Sequence, residues 1–332
     1  MLKNSSNTRH FVVPFDINYL PKCLVMYQSL SKFHKDFVLH AFCFDDLTYD
    51  LVKRLNYQNF IPYKQSEFEN KELLNAKADK KKLYEYYWAC KPYLIKKVME
   101  EQNAEIATYI DCDFMFFNSP ECIFDEMKNA DVLIQPNNFS AEEMKQFIPV
   151  GYYCSCFESF RNNTNGRRVL EWWHNKCMEW CYADFKNGLF ADQKYLDDWR
   201  VRFKKVREIT TVGANIAPWN IQKYDLAHKG KSIYVNNQPL IYYHFHSFKM
   251  NLMNYDYEVT GDRENYYRIP KVVEKIIYTP YIKSLQNTIE ELKKYPMYLD
   301  YAKINPESLI KMSENSKKPN FSSYKEAAKE IK

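Results

Sequence analysis

The stretch HFVVPFD, His10–Asp16, is an almost unbroken apolar run that ends in a carboxylate. Such a run suits a strand buried on both faces. The segment PKCLVMYQSLSKF follows, with Leu24, Tyr27 and Leu30 at helical spacing. A second apolar run comes next, FVLHAFCF at Phe37–Phe44, and Asp45-Asp46 then reads as a helix start. Strand, helix and strand in this order commit the chain to an α/β fold with a mostly parallel sheet flanked by helices.

The pattern continues. Residues 79–102 are expected to be helical, with Pro92 in the first turn of a new helical segment. EIATYIDCDFMFF (105–117) and DVLIQP (131–136) read as strands, VLEWWHNKCMEWCY (169–182) as an aromatic-rich helix, and PLIYYHFHSF (239–248) as a late strand. From about residue 270 the chain turns lysine-rich and helical, with SENSKKPNFSS (313–323) as a linker-like interruption before a short last helix. No internal repeat is visible. The expected division is one α/β domain over 1–265 and a basic helical extension over 266–332.

Charge narrows the function. The net charge of the 332 residues is +5, and the segment 271–332 alone holds 12 lysines against 8 acidic residues. The first 270 residues are close to neutral, and the count does not suggest the basic face that a general nucleic-acid binder needs. The basic tail reads as a solvated helical surface, and its other reading is peripheral contact with an anionic membrane. Nine irregularly spaced cysteines fit free thiols in a reducing compartment. Met1–His10 lacks the apolar core of a signal peptide, and no apolar run is long enough to span a bilayer. A cytoplasmic protein is expected.

Asp111 and Asp113 stand one residue apart within YIDCDFMFF. On a strand they point the same way and repel each other unless a cation joins them. Hard ions such as Mg²⁺ or Mn²⁺ take such oxygen ligands. Open α/β sheets bind ligands at the carboxyl ends of their strands, where this pair falls. His244 and His246, in YYHFHSFK, share a strand face and either could supply a third ligand; Lys249 follows and could meet a phosphate.

With these segments in hand, the sequence resembles nucleotide-sugar glycosyltransferases of the GT-A fold, most of all the glycogenin-like and lipopolysaccharide-galactosyltransferase-like group, glycosyltransferase family eight. FDINYL resembles the group's Asp-X-Asn-Tyr and implies Asp16, Asn18 and Tyr19 at the nucleotide base and ribose. YIDCDFMFF resembles the metal-binding Asp-X-Asp, with Asp111, Cys112 and Asp113 on the donor. FADQKYLDDW resembles the Asp-Gln segment on the sugar and acceptor side, implying Asp192 and Gln193 as catalytic residues. YHFHSFK implies His244 as metal ligand and Lys249 near the diphosphate. GANIAPWN, Gly213–Asn220, resembles a loop from bacterial relatives and receives no role. The four stretches follow the group's order across roughly residues 10–250.

The resemblance implies transfer of a sugar, with retention, from a nucleoside-diphosphate sugar, most readily a UDP-sugar, with Mn²⁺ or Mg²⁺ as cofactor. The acceptor would be a glycan, lipid-linked or protein hydroxyl, in lipopolysaccharide, capsule or glycoconjugate synthesis. The sequence also departs from the group. Cys154 and Cys156 stand where an Asn-X-Gly turn is usual, and a thiol reproduces neither the amide's two-way hydrogen bonding nor glycine's freedom at φ > 0. Lys249 comes one residue early and lacks the proline-tryptophan that usually follows. Lys91 is the candidate for the group's basic residue before Asp-X-Asp; its other reading is a solvated lysine beside Pro92. Asp192 could act as nucleophile or bind sugar hydroxyls.

Two other functions share parts of this pattern. A metal-dependent phosphohydrolase usually carries its Asp-X-Asp on the first strand, not in mid-chain before Phe114 and Met115. A non-catalytic nucleotide-sugar binder is favoured by Cys154 and Cys156 alone. His174, Cys177 and Cys181 share a helix face, but three tryptophans surround them and no fourth zinc ligand is evident, so they read as packing groups.

Overall fold

Strands β1 (Arg9–Phe15), β2 (Phe37–Cys43), β3 (Phe60–Lys64) and β4 (Ile106–Ile110) form a parallel array in a computed structural model that describes residues 8–230, 232–259 and 267–307. Strand β5 (Phe114–Phe116) leaves this array. Strands β6 (Val132–Pro136), β7 (Tyr153–Arg161) and β8 (Val206–Glu208) complete a seven-stranded sheet of order β3-β2-β1-β4-β7-β6-β8. Strand β7 runs antiparallel to both its neighbours. The expected mixed, mostly parallel α/β sheet flanked by helices is the architecture found.

Both faces of the sheet are apolar. Phe11, Val13 and Phe15 of β1 enter one core with Leu39, Ala41 and Cys43 of β2. Val12 and Phe42 point the other way, toward Tyr86, Leu94 and Val98 of the helix Leu83–Gln102. Alternate residues of one apolar run thus serve two cores, which is why β1 and β2 carry almost no polar positions.

The structure differs from four sequence expectations. Pro92 does not open a new segment: Leu83–Gln102 is a single helix with Pro92 inside it. An internal proline costs about 3 kcal/mol, but Ala89, Cys90, Leu94 and Ile95 around it are fully buried, and packing outweighs the missing hydrogen bond. The run 105–117 is not one strand. It breaks at Asp111, and β5 pairs with the strand Tyr242–His244 instead. The late run 239–248 is likewise divided, with His246 and Ser247 in a turn where Ser247 has φ 60°. The aromatic-rich helix spans Thr164–Glu179, because Asn163 caps it by accepting from Gly166 N at 2.9 Å and Trp180 is extended.

The helices Thr279–Lys293 and Pro296–Ile304 of the basic extension join the main core through Tyr281, Leu285, Ile289, Leu292 and Tyr298. The stretch 313–323 and the expected last helix lie outside the described residues. Among the described residues no helix is long and apolar enough to cross a membrane.

A titratable pair lies inside the sheet. His40 Nε2 is 3.0 Å from His10 Nδ1, and His40 Nδ1 is 3.1 Å from the Tyr63 hydroxyl. Burial, helped by His10, lowers the His40 pKa to about 3. The unfolded chain, with a histidine near 6.5, therefore binds more protons than the folded one between about pH 6.5 and 3. Stability is fully present above that window and falls as pH drops through it, by a few kcal/mol at about 1.4 kcal/mol per unit. Urea unfolding between about pH 7 and 4 should show this slope in wild type and a flatter one in His40→Gln; equal slopes would assign the acid sensitivity to other groups.

Candidate functional site

The break in the run 105–117 builds the site. Asp111 N still bonds Cys156 O of β7 at 3.0 Å, whereas Asp113 O accepts from Phe245 N at 2.9 Å. The chain thus passes from the main sheet to a second one within three residues. The turn presents both carboxylates to His244, whose Nε2 lies 3.7 Å from Asp111 Oδ2 and 3.2 Å from Asp113 Oδ1. His246 stands in the turn beyond, so the structure gathers His244 with the two aspartates.

The electrostatics are unequal. Burial raises the Asp111 carboxyl and Asp113 adds to this, against Lys91 and His244, which pull it down. Burial acts on Asp113 in the same direction, but His244 and Lys22 outweigh it and hold that carboxyl well below the usual range. Burial works against the His244 imidazolium, yet Asp113 prevails and pushes its pKa to about 10. His244 Nδ1 is buried without a hydrogen-bond partner.

Behind this group lies a buried cation. Lys91 Nζ is 3.0 Å from Asp192 Oδ2 and 4.0 Å from Asp111 Oδ1, and it donates to Ser155 O at 2.6 Å. It is 3% exposed, so the solvated alternative is excluded. Burial disfavours its charge, but Asp192 and Asp111 more than restore it. Ser155 Oγ donates to Asp192. Gln193 Oε1 accepts from Ser155 N at 3.1 Å and its Nε2 donates to Val150 O at 3.0 Å. Asp192 and Gln193 therefore support Lys91 and the β7 backbone from behind and are not part of the cavity lining. Glu158, fully buried with both oxygens unpartnered, has its carboxyl raised well above the usual range by burial.

A cavity of about 380 Å³ opens in front of Asp111, Asp113 and His244. Asp16, Tyr19, Cys112 and Lys249 also line it. Asp16 Oδ1 accepts from Asn18 N at 3.0 Å, and its Oδ2 accepts from the Tyr87 hydroxyl at 3.2 Å. Asn18 is not in the lining: its Oδ1 accepts from the Tyr301 hydroxyl at 2.6 Å.

Sequence reasoning missed several contributors. Lys22 lines the cavity, donates to Phe248 O at 2.7 Å and sits 4.7 Å from the Tyr19 ring centre. The Tyr109 hydroxyl donates to Asp111 Oδ1 at 2.6 Å. The loop 213–220 now has a role. Ile216 O accepts from His244 N at 2.9 Å, and the Trp219 ring stands edge-on to His244 at 5.2 Å. A Cβ at Gly213 would lie 1.9 Å from Pro239 O, so only glycine lets the loop approach the histidine strand this closely. No periodic signal marks these residues; GANIAPWN alone drew attention as a motif.

Cys154 and Cys156, on β7, also gather around His244. Burial raises the Cys154 thiol, but Cys156 and His244 override this and leave it below its ordinary value. His174 makes no such group with Cys177 and Cys181: its Nε2 meets Glu72 Oε2 at 3.1 Å, and both thiols are fully buried in the core.

Two carboxylates and an imidazole whose ligand atoms all lie within 4.8 Å, on the wall of an open cavity, fit a divalent cation. The flanking ammonium groups of Lys22 and Lys249 fit an anionic ligand beside it.

No protein-family model matches the chain. Two proteins of Bacillus subtilis (strain 168) are similar to it. The uncharacterized protein YfnD is 30% identical over 302 residues, which is 89% of this chain and 94% of that protein. YfnF is 31% identical over 245 residues, 71% and 80% respectively. Among solved structures, the galactosyltransferase LgtC in complex with donor and acceptor sugar analogues aligns with 71% of this chain and 86% of its own, at 13% identity and a TM-score of 0.46. Mouse xyloside xylosyltransferase 1 aligns with 63% and 87%, at 12% identity and a TM-score of 0.44.

The Lys91–Asp192 pair, with both side chains at most 4% exposed, gives a direct test. Lys91→Met leaves the Asp192 charge buried and unpaired, and is expected to cost about 3–5 kcal/mol in chemical unfolding. Combining it with Asp192→Leu should recover most of that loss; a double variant as unstable as the sum of the singles would mean that the pair is not coupled.

Proposed function

We infer that this chain, which belongs to the family of the Bacillus subtilis proteins YfnD and YfnF, is a metal-dependent glycosyltransferase. It moves a sugar from a nucleoside-diphosphate sugar, with UDP the favoured nucleotide, to a hydroxyl acceptor in surface-polysaccharide, lipopolysaccharide or glycoconjugate synthesis. One observation carries the proposal. Asp111, Asp113 and His244 converge on a cavity that also holds the ammonium groups of Lys22 and Lys249. A cavity of about 380 Å³ is within the range of small-ligand sites.

In this proposal Asp111, Asp113 and His244 hold Mn²⁺ or Mg²⁺. An ion held there would supply positive charge for the diphosphate leaving group. Lys22 and Lys249 meet the phosphate oxygens and hold them against the cavity wall. Tyr19 gives the base a stacking face, and Asp16 accepts hydrogen bonds from the nucleoside. Lys91 sets the position of Asp111, and Asp192 in turn holds Lys91. Because its carboxylate is engaged by Lys91 and Ser155, Asp192 serves this reading as a positioning group and not as a nucleophile. Retention at the anomeric carbon is carried as part of the proposal. Peripheral contact with an anionic membrane is carried in the proposal by the basic C-terminal region, 266–332.

Calorimetry tests the proposal. UDP should bind wild type in the presence of Mn²⁺ and bind far more weakly without it. Asp113→Asn, which keeps the side-chain shape, should remove the metal-dependent part. UDP binding indifferent to Mn²⁺ and to this substitution would refute the metal role, and silence toward UDP, GDP and other nucleotides would refute the transferase reading.

A further inference from the structure

We propose that Cys154, Cys156 and His244 form a second metal site, selective for a thiophilic divalent cation such as Zn²⁺, and that its occupation withdraws His244 from Asp111 and Asp113. The three ligand atoms lie within 4.8 Å of one another, and each residue is at most 5% exposed. A tetrahedral ion with Zn–S of about 2.3 Å and Zn–N of about 2.0–2.1 Å spans such a group with small adjustments.

Several features single these residues out. Cys154 and Cys156 are two apart on β7, so their side chains leave the same face of the strand. Cys156 Sγ makes one long contact, 3.6 Å to Asn215 Oδ1, which is easily replaced. Among the described residues His244 Nδ1 is buried with no hydrogen-bond partner, and a ring nitrogen of His244 lies within 4.8 Å of both sulfurs. His244 lines the cavity, which gives an ion a way in. The site supplies three protein ligands and leaves a fourth position for water.

The chemistry separates the two sites. Carboxylates favour Mn²⁺ and Mg²⁺; thiolates favour Zn²⁺. Binding releases the two thiol protons and one proton of the His244 imidazolium to solvent, forms two S–Zn bonds and one N–Zn bond, and changes no oxidation state. A neutral imidazole with one nitrogen on Zn²⁺ keeps its proton on the other, so without turning it no longer offers that nitrogen to the oxygen-rich set. Zn²⁺ therefore opposes Mn²⁺ at the nucleotide site. This second half rests on the function proposed above; the thiolate site does not.

The probe is Co²⁺, followed by Zn²⁺, added to the reduced full-length chain. Co²⁺ should produce a thiolate-to-metal charge-transfer band that Zn²⁺ removes. Cys154→Ser and Cys156→Ser should each weaken the band, Cys177→Ser should leave it, and Asp113→Asn should leave it as well. Absence of the band in wild type, or its loss in Cys177→Ser with survival in Cys154→Ser, overturns the site. X-ray absorption of the Zn²⁺-loaded wild type removes any dependence on variant folding: two sulfur neighbours at about 2.3 Å support the site, and fewer than two overturn it. Zn²⁺ should also raise the Mn²⁺ concentration needed for UDP binding by about 10-fold or more, since even outer-shell partners of a ligand are worth 10–100-fold in metal affinity. A charge-transfer band with no UDP binding under any condition would leave the thiolate site standing while removing the transferase reading.

Discussion

Negative charge gathered at the carboxyl ends of the strands sets the terms for everything around it. Asp16, Asp111, Asp113, Asp192 and Glu158 all lie in or behind one cavity. Carboxylates removed from water need a partner or must take up a proton. Glu158, with no hydrogen-bond partner among the described residues, is pushed by burial toward the second course. The others take the first. Lys91 stands between Asp111 and Asp192, His244 faces Asp113, and Tyr87 donates to Asp16. This need explains the least ordinary feature of the helix Leu83–Gln102, which carries a fully charged lysine into its buried face immediately before an internal proline.

The sheet was legible because its strands are buried on both sides, and a strand with two apolar faces writes itself as a continuous run. The same property hid the break at Asp111. An apolar run does not record where the backbone exchanges one pairing partner for another, and Phe114 and Phe116 of β5 are buried just as β4 is. The aspartates were found by their spacing, but the alternation of a strand was not what aligns them. A turn does so, and its geometry depends on Phe245, more than 130 residues away in sequence. Lys22 was invisible for a related reason. It lies in the first turns of a helix, where a lysine reads as a solvated residue until the carbonyl of Phe248 arrives to accept from it. Asp16, Tyr19, Asp111, Asp113, His244 and Lys249 were reachable from motifs, whereas the network behind them was not.

The C-terminal helices show the opposite error of emphasis. Their lysines dominate the composition and suggest a separate solvated piece. Their apolar positions decide where they go. Tyr281 stacks on Phe245 with ring centres 3.6 Å apart, and Tyr301 holds Asn18 beside the first strand. Phe245 adjoins His244, and Asn18 lies two residues from Asp16, so both contacts bear on segments that line the cavity. A helix whose charged face is turned to water and whose aromatic face supports the site reads as basic in any count of residues.

His244 is where these constraints meet. Its backbone is fixed on two sides, by pairing with Phe114 of β5 and by the bond to Ile216 O, so the imidazole has little freedom to move along the wall. Phe114 at 4.8 Å and Trp219 at 5.2 Å flank it edge-on and leave its two nitrogens as its polar handles. One nitrogen faces oxygen ligands; the other has no partner. Holding a proton near Asp113 and binding a divalent cation are alternative answers to the same negative charge, because a ligated imidazole must first be neutral. Asp113 raises the His244 pKa, so the same carboxylate that would draw a cation also favours the imidazole proton that opposes ligation.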